Sequence, residues 1–300
     1  MERISSPYYT LVPRDRRYDT NDAPLIVADD GLYTPEIKRH SLEKIRLHNR
    51  YARIFATAMR THWPQLAYVG LYAGAGRAEI SGTGEIVETS ALAVIRQPDR
   101  FTDYIYVDHD STCMDALRSR IQALKPSENF TFLTEDVNDS VDAVKRALPQ
   151  YSRSRGLLSF CFIDPFDVQL KFDTIRRLSH LRMDFLVLLM LGVDARRNFH
   201  RYMSDESSTR IGDLIDCPEW RTEYRAGTRG ASVIHFLLGK FDEAMQRLGY
   251  LSASEDTHIV RASGMGVLQY VLAFYSKSDV GRRFWRESRA SLSPQLGLQL

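Results

Sequence analysis

The sequence predicts an α/β protein with a mostly parallel, seven-stranded sheet, and two observations carry this prediction. First, five short apolar runs alternate with segments of helical period between residues 67 and 190. Strands and helices that alternate in this way form a parallel sheet with helices on both faces and right-handed connections. Second, apolar runs at 258–261 and 267–275 flank the segment Ala262-Ser263-Gly264-Met265-Gly266, which is typical of a β-hairpin.

The predicted elements follow a polar arm, residues 1–39, which is rich in Asp, Arg and Pro and which we expect to be loosely ordered. The α/β domain then spans 40–300. It opens with a helix at 41–61, for which Ser41 is the predicted N-cap and which ends at Trp63-Pro64. Strands are predicted at 67–73, 104–107, 130–133, 157–163 and 185–190, helices between them at 89–96, 112–124, 140–148 and 172–180, a helical insertion at 196–250, and a last helix at 280–289.

Composition excludes several classes of protein. The 300 residues are 44% hydrophobic and 26% charged, which is typical of a globular chain. Lys and Arg total 40 against 38 Asp and Glu, so a net charge of +2 argues against a strongly basic nucleic-acid coat. Three widely spaced cysteines favour a reducing, cytoplasmic setting. The longest apolar run, 185–193, is shorter than the about 20 residues that a membrane span needs, and residues 1–20 lack a signal-peptide core.

The turn after the first strand is the first candidate site. Two glycines one residue apart at a strand end let the backbone approach a ligand closely. The dinucleotide fingerprint needs a third glycine at position 79, where Glu79 stands instead and would repel a pyrophosphate. The turn therefore favours S-adenosyl-L-methionine over NAD, with an ordinary tight turn as the alternative. The predicted cofactor-binding residues here are Tyr72, Ala73, Gly74, Ala75 and Gly76.

Acidic residues end the second and third strands. Asp108, with His109 beside it, is placed to accept hydrogen bonds from two ribose hydroxyls, because Asp110 suits the N-cap of the following helix better. Asp136, preferred over Glu135, is a candidate acceptor for an adenine amino group. A solvated helix cap is the alternative interpretation of Asp136.

The fourth strand ends in Asp164-Pro165-Phe166. An acid at the end of a buried central strand is costly unless it has a partner or a function. The triplet resembles the D-P-P-Y motif of amino-group methyltransferases, in which the acid holds the nucleophile and the ring stacks on it. A simple strand end is the alternative, since proline stops a ladder. We expect Asp164, Pro165 and Phe166 to be catalytic, with Asp164 orienting the acceptor or taking its proton.

These features occur together in one known family. Between about residues 40 and 285 the chain resembles the three-Cys-motif partner protein (TcmP) family. The resembling pieces are the helix with Lys44 and Tyr51, the loop L-Y-A-G-A-G-R ending at Arg77, Asp164-Pro165-Phe166, and F-Y-S-K-S-D-V-G ahead of Phe284-Trp285. The family's loop is usually D-x-F-A-G-x-G and its last motif F-A-S-K-H-P-L-G followed by tryptophan. Members are bacterial or phage-encoded.

The resemblance implies a Rossmann-like class I methyltransferase fold, S-adenosyl-L-methionine as cofactor, and a radical-SAM-like three-Cys-motif protein as partner. Five βα units followed by a hairpin are also the pattern of that fold. The chain departs from the family at Gly70, where members carry an acid that helps to hold the methionine part of the cofactor. It also has Ser278-Asp279 in place of His-Pro.

Two functions remain open at this point. The first is methyl transfer to an unidentified acceptor; the second is a non-catalytic binding partner that uses the insertion as its contact surface. A nucleic-acid acceptor is suggested by Arg196-Arg197-His200-Arg201 and by the arginines of the last helix, Arg282, Arg283, Arg286 and Arg289. Solvated helix faces are the alternative, which the low net charge favours. The scattered histidines have no ligand spacing, so no metal site is expected.

Overall fold

The computed structural model describes residues 22–150, 156–227, 232–261 and 268–290. The strands are β1 (Ile26–Val27), β2 (Glu36–Ile37), β3 (Gln65–Leu71), β4 (Arg77–Ile80), β5 (Ile86–Glu88), β6 (Asp103–Asp108), β7 (Asn129–Thr134), β8 (Leu157–Ile163), β9 (Met183–Leu189), β10 (His258–Arg261) and β11 (Leu268–Tyr275). The helices are α1 (Ser41–Met59), α2 (Ser90–Ala93), α3 (Ser111–Ala123), α4 (Val141–Ala147), α5 (Phe172–Leu178), α6 (Phe199–Ser204), α7 (Arg210–Ile215), α8 (Trp220–Gly227), α9 (Val233–Arg247) and α10 (Asp279–Ala290), with a π-helical turn at Leu191–Ala195.

The main sheet has seven strands in the order β10-β11-β9-β8-β3-β6-β7. All neighbouring pairs from β9 to β7 are parallel, whereas β11 runs antiparallel to both β9 and β10. The predicted α/β fold with a C-terminal hairpin is therefore confirmed, although the turn at 262–266 lies outside the described residues. Because β3 is flanked by β6 and β8, the segments that follow these three strands meet at one edge of the sheet.

Alternating side chains of the strands supply a core on each face of the main sheet. In β3, Ala67, Val69 and Leu71 face the side that also holds α4, α5 and the insertion helices, whereas Leu66 and Tyr68 face α1, α3 and α10. Trp220 anchors the first core and Trp285 the second, each fully buried. Burial of a large apolar side chain contributes about 1.5–3 kcal/mol, so each face stabilises its own layer of helices.

A second, four-stranded sheet in the order β1-β5-β4-β2 was not predicted. It forms from the arm, which the sequence predicts to be loosely ordered, and from residues 77–88, for which the sequence predicts no strand or helix. Its strands are two to four residues long, too short to show a clear period. Their stability comes from pairing between distant segments, for example Ile26 with Val87 and Glu36 with Glu79. The structure of residues 22–39 therefore differs from the expected loose order.

The helices lie close to their predicted positions, whereas only one of the two predicted N-caps is found. Helix α1 begins at Ser41, but His40 is the N-cap residue and makes no capping hydrogen bond through its side chain. Asp110 caps α3 as predicted, accepting hydrogen bonds from the backbone N–H groups of Thr112 and Cys113. Helices α6 to α9 lie in the segment 196–250. In the part of the chain that the structure describes, no helix combines the length and apolarity needed to span a membrane.

Candidate functional site

The turn between β3 and β4 has the backbone that its glycines predict. Three of its residues have positive φ: Tyr72 at 61°, Gly74 at 65° and Gly76 at 82°. A Cβ on Gly76 would lie 2.7 Å from Leu117 and 2.9 Å from Leu92, whereas a Cβ on Gly74 would meet open space. Gly76 is therefore needed for packing as well as for conformation. Gly74 instead leaves backbone accessible at the sheet edge.

Asp108 ties this turn to the end of β6. One carboxylate oxygen accepts a hydrogen bond from the Gly74 N–H at 2.9 Å, and the other accepts one from the Asp110 N–H at 3.0 Å. The residue is 4% exposed, so little of the carboxylate faces solvent. His109 has an exposed side chain whose Nδ1 lies 3.6 Å from Asp108. The structure thus gives Asp108 a role in shaping the turn, and its predicted contact with a ribose remains a prediction.

A pocket opens beside the turn and extends to the end of β8. Six of the predicted site residues line it: Tyr72, Ala73, Gly74, Ala75, Asp164 and Phe166. Gly76, Asp108, His109, Asp136 and Pro165 do not line it. The structure therefore brings predicted cofactor residues and predicted catalytic residues together in one pocket. A molecule filling this space would contact both groups.

Asp164 is paired inside the pocket with Lys44, which the sequence analysis names in the resembling helix but does not assign to the site. The Nζ of Lys44, in the first turn of α1, donates to both carboxylate oxygens of Asp164, at 2.6 and 2.7 Å, and both side chains are largely buried. Phe166, two residues on, has 68% of its surface exposed. A signal for Lys44 did exist, because a cation near a helix N-terminus opposes the helix dipole and needs a compensating partner.

Gly70 lies in the wall of this pocket, where the resembling family has an acid. A Cβ at Gly70 would lie 3.1 Å from Tyr106 and 3.2 Å from Tyr68. Both rings are fully buried, and Tyr106 donates its hydroxyl hydrogen to the Ala91 carbonyl at 2.7 Å. A side chain at position 70 would therefore press its Cβ against both tyrosines, which would have to give by a few tenths of an ångström.

His48, a buried histidine on α1, forms a hydrogen bond with Tyr68. The Nε2 of His48 lies 2.9 Å from the Tyr68 hydroxyl, and its Nδ1 lies 3.0 Å from Oδ1 of Asn49. Burial lowers the pKa of His48 to about 4, so the ring is neutral at pH 7. Because Asn49 Oδ1 can only accept, we assign the proton to Nδ1, and Nε2 then accepts from Tyr68.

Three buried polar atoms of residues that line the pocket are without a hydrogen-bond partner among the described residues: the Tyr72 hydroxyl, Arg77 Nε and Ser90 Oγ. Burial, followed by the charges of Asp136, Asp167 and Asp108, raises the pKa of Tyr72. Tyr72 is therefore under the electrostatic influence of carboxylates that end or follow three strands. Asp136 itself is exposed, and its Oδ1 accepts the Asn138 N–H at 2.8 Å, as in a turn ahead of α4. Unpaired buried polar atoms are costly, and a polar ligand would satisfy them.

The C-terminal motif lies away from this site, because β11 ends at the opposite edge of the sheet. Lys277 donates to the Ser179 carbonyl at 2.9 Å and lies over the Tyr250 ring. In α10, Arg282, Arg286 and Arg289 converge on the buried Asp256, at 3.3, 2.6 and 3.6 Å. These contacts fasten α10 to the domain. By contrast, Arg196, Arg197, His200 and Arg201 are all exposed, beyond the end of β9.

A metal centre is not found where the chain is described: no three His, Cys, Asp or Glu residues there are grouped so as to hold an ion.

Comparison with known proteins gives partial similarities to methyltransferase structures. No protein-family model matches the chain. No curated protein matches it either. The O-methyltransferase TomG from Streptomyces achromogenes, solved in complex with SAM, is 8% identical over 85% of this chain and 92% of its own, with a TM-score of 0.42. Magnesium protoporphyrin IX methyltransferase from Synechocystis, solved with bound SAH, is 10% identical over 78% and 86%, with a TM-score of 0.39.

Protein LPL1258 from Legionella pneumophila is 11% identical over 82% of this chain and 91% of its own, with a TM-score of 0.44. At such identities and scores these likenesses decide neither the cofactor nor the reaction of this chain. A functional proposal for this chain therefore rests on the geometry of its own residues.

Proposed function

We propose that the protein binds S-adenosyl-L-methionine beside the turn after β3 and transfers its methyl group to a nucleophilic atom of an acceptor. The observation that carries this proposal is the single pocket that runs from Gly74 and Ala75 to Asp164 and Phe166. The open space beside Gly74 and the unpaired Tyr72 hydroxyl and Ser90 Oγ fit a ligand rich in polar groups. Asp108 holds the turn and does not itself line the pocket; its assignment to the ribose is the sequence prediction, and it would use the lone pairs left free by the Gly74 and Asp110 N–H groups.

Bound S-adenosyl-L-methionine supplies an electrophilic methyl group, so the protein has mainly to align the acceptor with it. Asp164 is placed to accept a hydrogen bond from the acceptor's N–H or O–H and to take that proton. Lys44 holds the carboxylate in position, while each oxygen keeps a further lone-pair direction for the acceptor. Phe166 offers an exposed ring at the mouth of the pocket on which a planar acceptor would stack.

A nucleic acid is the acceptor class that we propose. Arg196, Arg197, His200 and Arg201 form an exposed basic cluster beyond the end of β9. The π-helical turn that leads to this cluster is joined to the Asp164 loop, because Asp194 accepts the Val168 N–H at 2.8 Å. Phosphate contacts by this cluster and stacking on Phe166 are the combination that binds single-stranded nucleic acid.

The resemblance to the three-Cys-motif partner family adds a second proposal. The protein would associate with a radical-SAM-like three-Cys-motif protein, and Gly70 favours a version of this role without catalysis, because the acid that helps to hold the cofactor in that family is missing. Purified protein distinguishes the two functions. A co-purified adenosyl compound supports the enzyme, and its absence together with failure to bind added ligand supports the binding module.

Calorimetry with S-adenosylmethionine and S-adenosylhomocysteine tests the proposed function. We expect measurable binding to the native chain and weaker binding to Gly74→Ala. Gly82→Ala is the matched control, because Gly82 also has positive φ in open space but does not line the pocket. Absence of binding at millimolar ligand would overturn the proposal.

A further inference from the structure

A buried arginine outside the pocket connects two parts of its wall. Arg120, on α3, has a side chain that is 2% exposed. Its Nη1 donates to the carbonyl of Ala75 at 2.7 Å, inside the turn after β3. The same Nη1 donates to the carbonyl of Tyr33 at 3.0 Å. One guanidinium therefore binds the turn and the segment that precedes β2.

Arg120 and Arg77 bind that segment at several points. The Nε and Nη2 of Arg120 donate to the two carboxylate oxygens of Asp30, both at 2.8 Å, and Nη2 also donates to the Leu32 carbonyl and to Thr34 Oγ1. Arg77 makes a further ion pair with Asp30 at 2.9 Å. The Arg120 hydrogen bonds are chiefly responsible for lowering the pKa of Asp30 to about 2, so this carboxylate is charged at neutral pH.

The residues that directly follow this segment line the pocket. Pro35, Glu36 and Ile37 line it, as Gly74 and Ala75 of the turn also do. The Pro35 and Ile37 carbonyls accept the N–H groups of Glu79 and Ser81, both at 2.9 Å, which fixes this stretch on β4. Residues 30–37, which we call the strap, are thus pinned at one end by Arg120 and at the other by β4.

We propose that the strap is a ligand-binding wall of the pocket and that Arg120, through Asp30 and the Ala75 carbonyl, is a positioning residue that sets the strap and the turn together. This inference rests on the proposed function for the identity of the ligand, an adenosyl compound. A ligand that touches both Ala75 and Ile37 gains from having them held by one rigid guanidinium, because less conformational freedom is then lost on binding. Loosening the strap should therefore also loosen the turn.

Asp30→Asn tests this coupling with little change of shape. Asp256→Asn is the matched control, since it also removes a carboxylate held by arginines but lies at the far end of the domain. In ligand-free protein, we expect Asp30→Asn to speed amide hydrogen exchange both at residues 30–37 and at residues 72–76, and Asp256→Asn to leave both segments unchanged. Faster exchange in the strap alone, or in neither segment, would overturn the inference whether or not any adenosyl compound binds.

Calorimetry with S-adenosylhomocysteine supplies the second readout. We expect Asp30→Asn to bind about tenfold more weakly than the native chain. Asp256→Asn should lower the melting temperature but keep the native affinity. Equal affinity of Asp30→Asn and the native chain would refute the strap as a ligand-binding wall. Failure of the native chain to bind would instead refute the proposed function, and with it the assignment of the strap to an adenosyl ligand.

Discussion

The ammonium group of Lys44 lies 2.6 and 2.7 Å from the two carboxylate oxygens of Asp164, although 120 residues separate them in the chain. The pair joins the first turn of α1 to the end of β8, inside the candidate pocket. Each charge compensates the burial of the other, so removing either one leaves a poorly solvated ion.

Lys44→Met should therefore destabilise the fold. With Asp164 unpaired and largely buried, we expect the free energy of unfolding to fall by about 1–3 kcal/mol, measured by urea denaturation at pH 7. Lys44→Arg, which retains the charge, should recover most of the loss. Lys38→Met removes a solvent-exposed partner of Glu36 and should leave the urea midpoint unchanged. Equal stability of Lys44→Met and native protein would show that the pair contributes nothing.

Gly76 and Gly74 both have positive φ in the turn but differ in the space around them, so the same substitution at each separates backbone strain from packing. Gly76→Ala combines positive φ with collisions against Leu92 and Leu117, and we expect a loss of about 2–4 kcal/mol in unfolding free energy. Gly74→Ala has positive φ but open space, so its cost should be about 1–2 kcal/mol. If the two variants unfold at the same urea concentration, the packing assigned to Gly76 is wrong.

Asp184 should make stability depend on pH. Burial raises its pKa to about 6, against hydrogen bonds from Ser276 and Tyr51 that act in the opposite direction. Since the folded state holds this proton more tightly than the unfolded state, the contribution is complete below pH 3.8 and is lost as pH rises through about 6.

Asp184→Asn removes this titration while leaving an acceptor for the Tyr51 hydroxyl. We expect the variant to be more stable than native protein by about 1–3 kcal/mol at pH 7.5, with the difference vanishing near pH 4. The stability difference between variant and native protein should be measured rather than the stability of either one. His48 is neutral in the folded state, so it makes the stability of both proteins rise with pH between about 4 and 6.5, opposite to the effect of Asp184. A difference independent of pH would contradict the assignment.

The exposed basic cluster predicts salt-dependent binding of nucleic acid. We expect native protein to bind a short labelled single-stranded RNA at low salt, and Arg197→Ala with Arg201→Ala to weaken binding and to lower the salt slope by about one unit per lost phosphate contact. Arg282→Ala is the control, since Arg282 is occupied with Asp256. If native protein retains no RNA at low salt, RNA is not the acceptor.

The main sheet could be predicted because its central strands are buried on both faces and are continuous apolar runs, such as Leu157–Ile163. The small sheet could not, because strands such as Glu36–Ile37 are stable only through pairing with distant segments. In the candidate site, Gly74 and Asp164 could be placed at the same edge of the sheet, because they follow parallel strands whose carboxyl ends meet there. Lys44 and Arg120 were not assigned to the site because their partners are 120 and 90 residues away. The place of Lys44 near a helix N-terminus indicates that it needs a partner but does not say which residue that is.

Position 70 limits how an acid could be introduced into this pocket. An aspartate there would bring its Cβ to 3.1 Å from the Tyr106 ring and 3.2 Å from the Tyr68 ring, so these two buried rings would have to give by a few tenths of an ångström. A shift of Tyr106 would in turn disturb the hydrogen bond that its hydroxyl donates to the Ala91 carbonyl. An acid-bearing loop would therefore change the packing behind the pocket as well as the wall of the pocket itself.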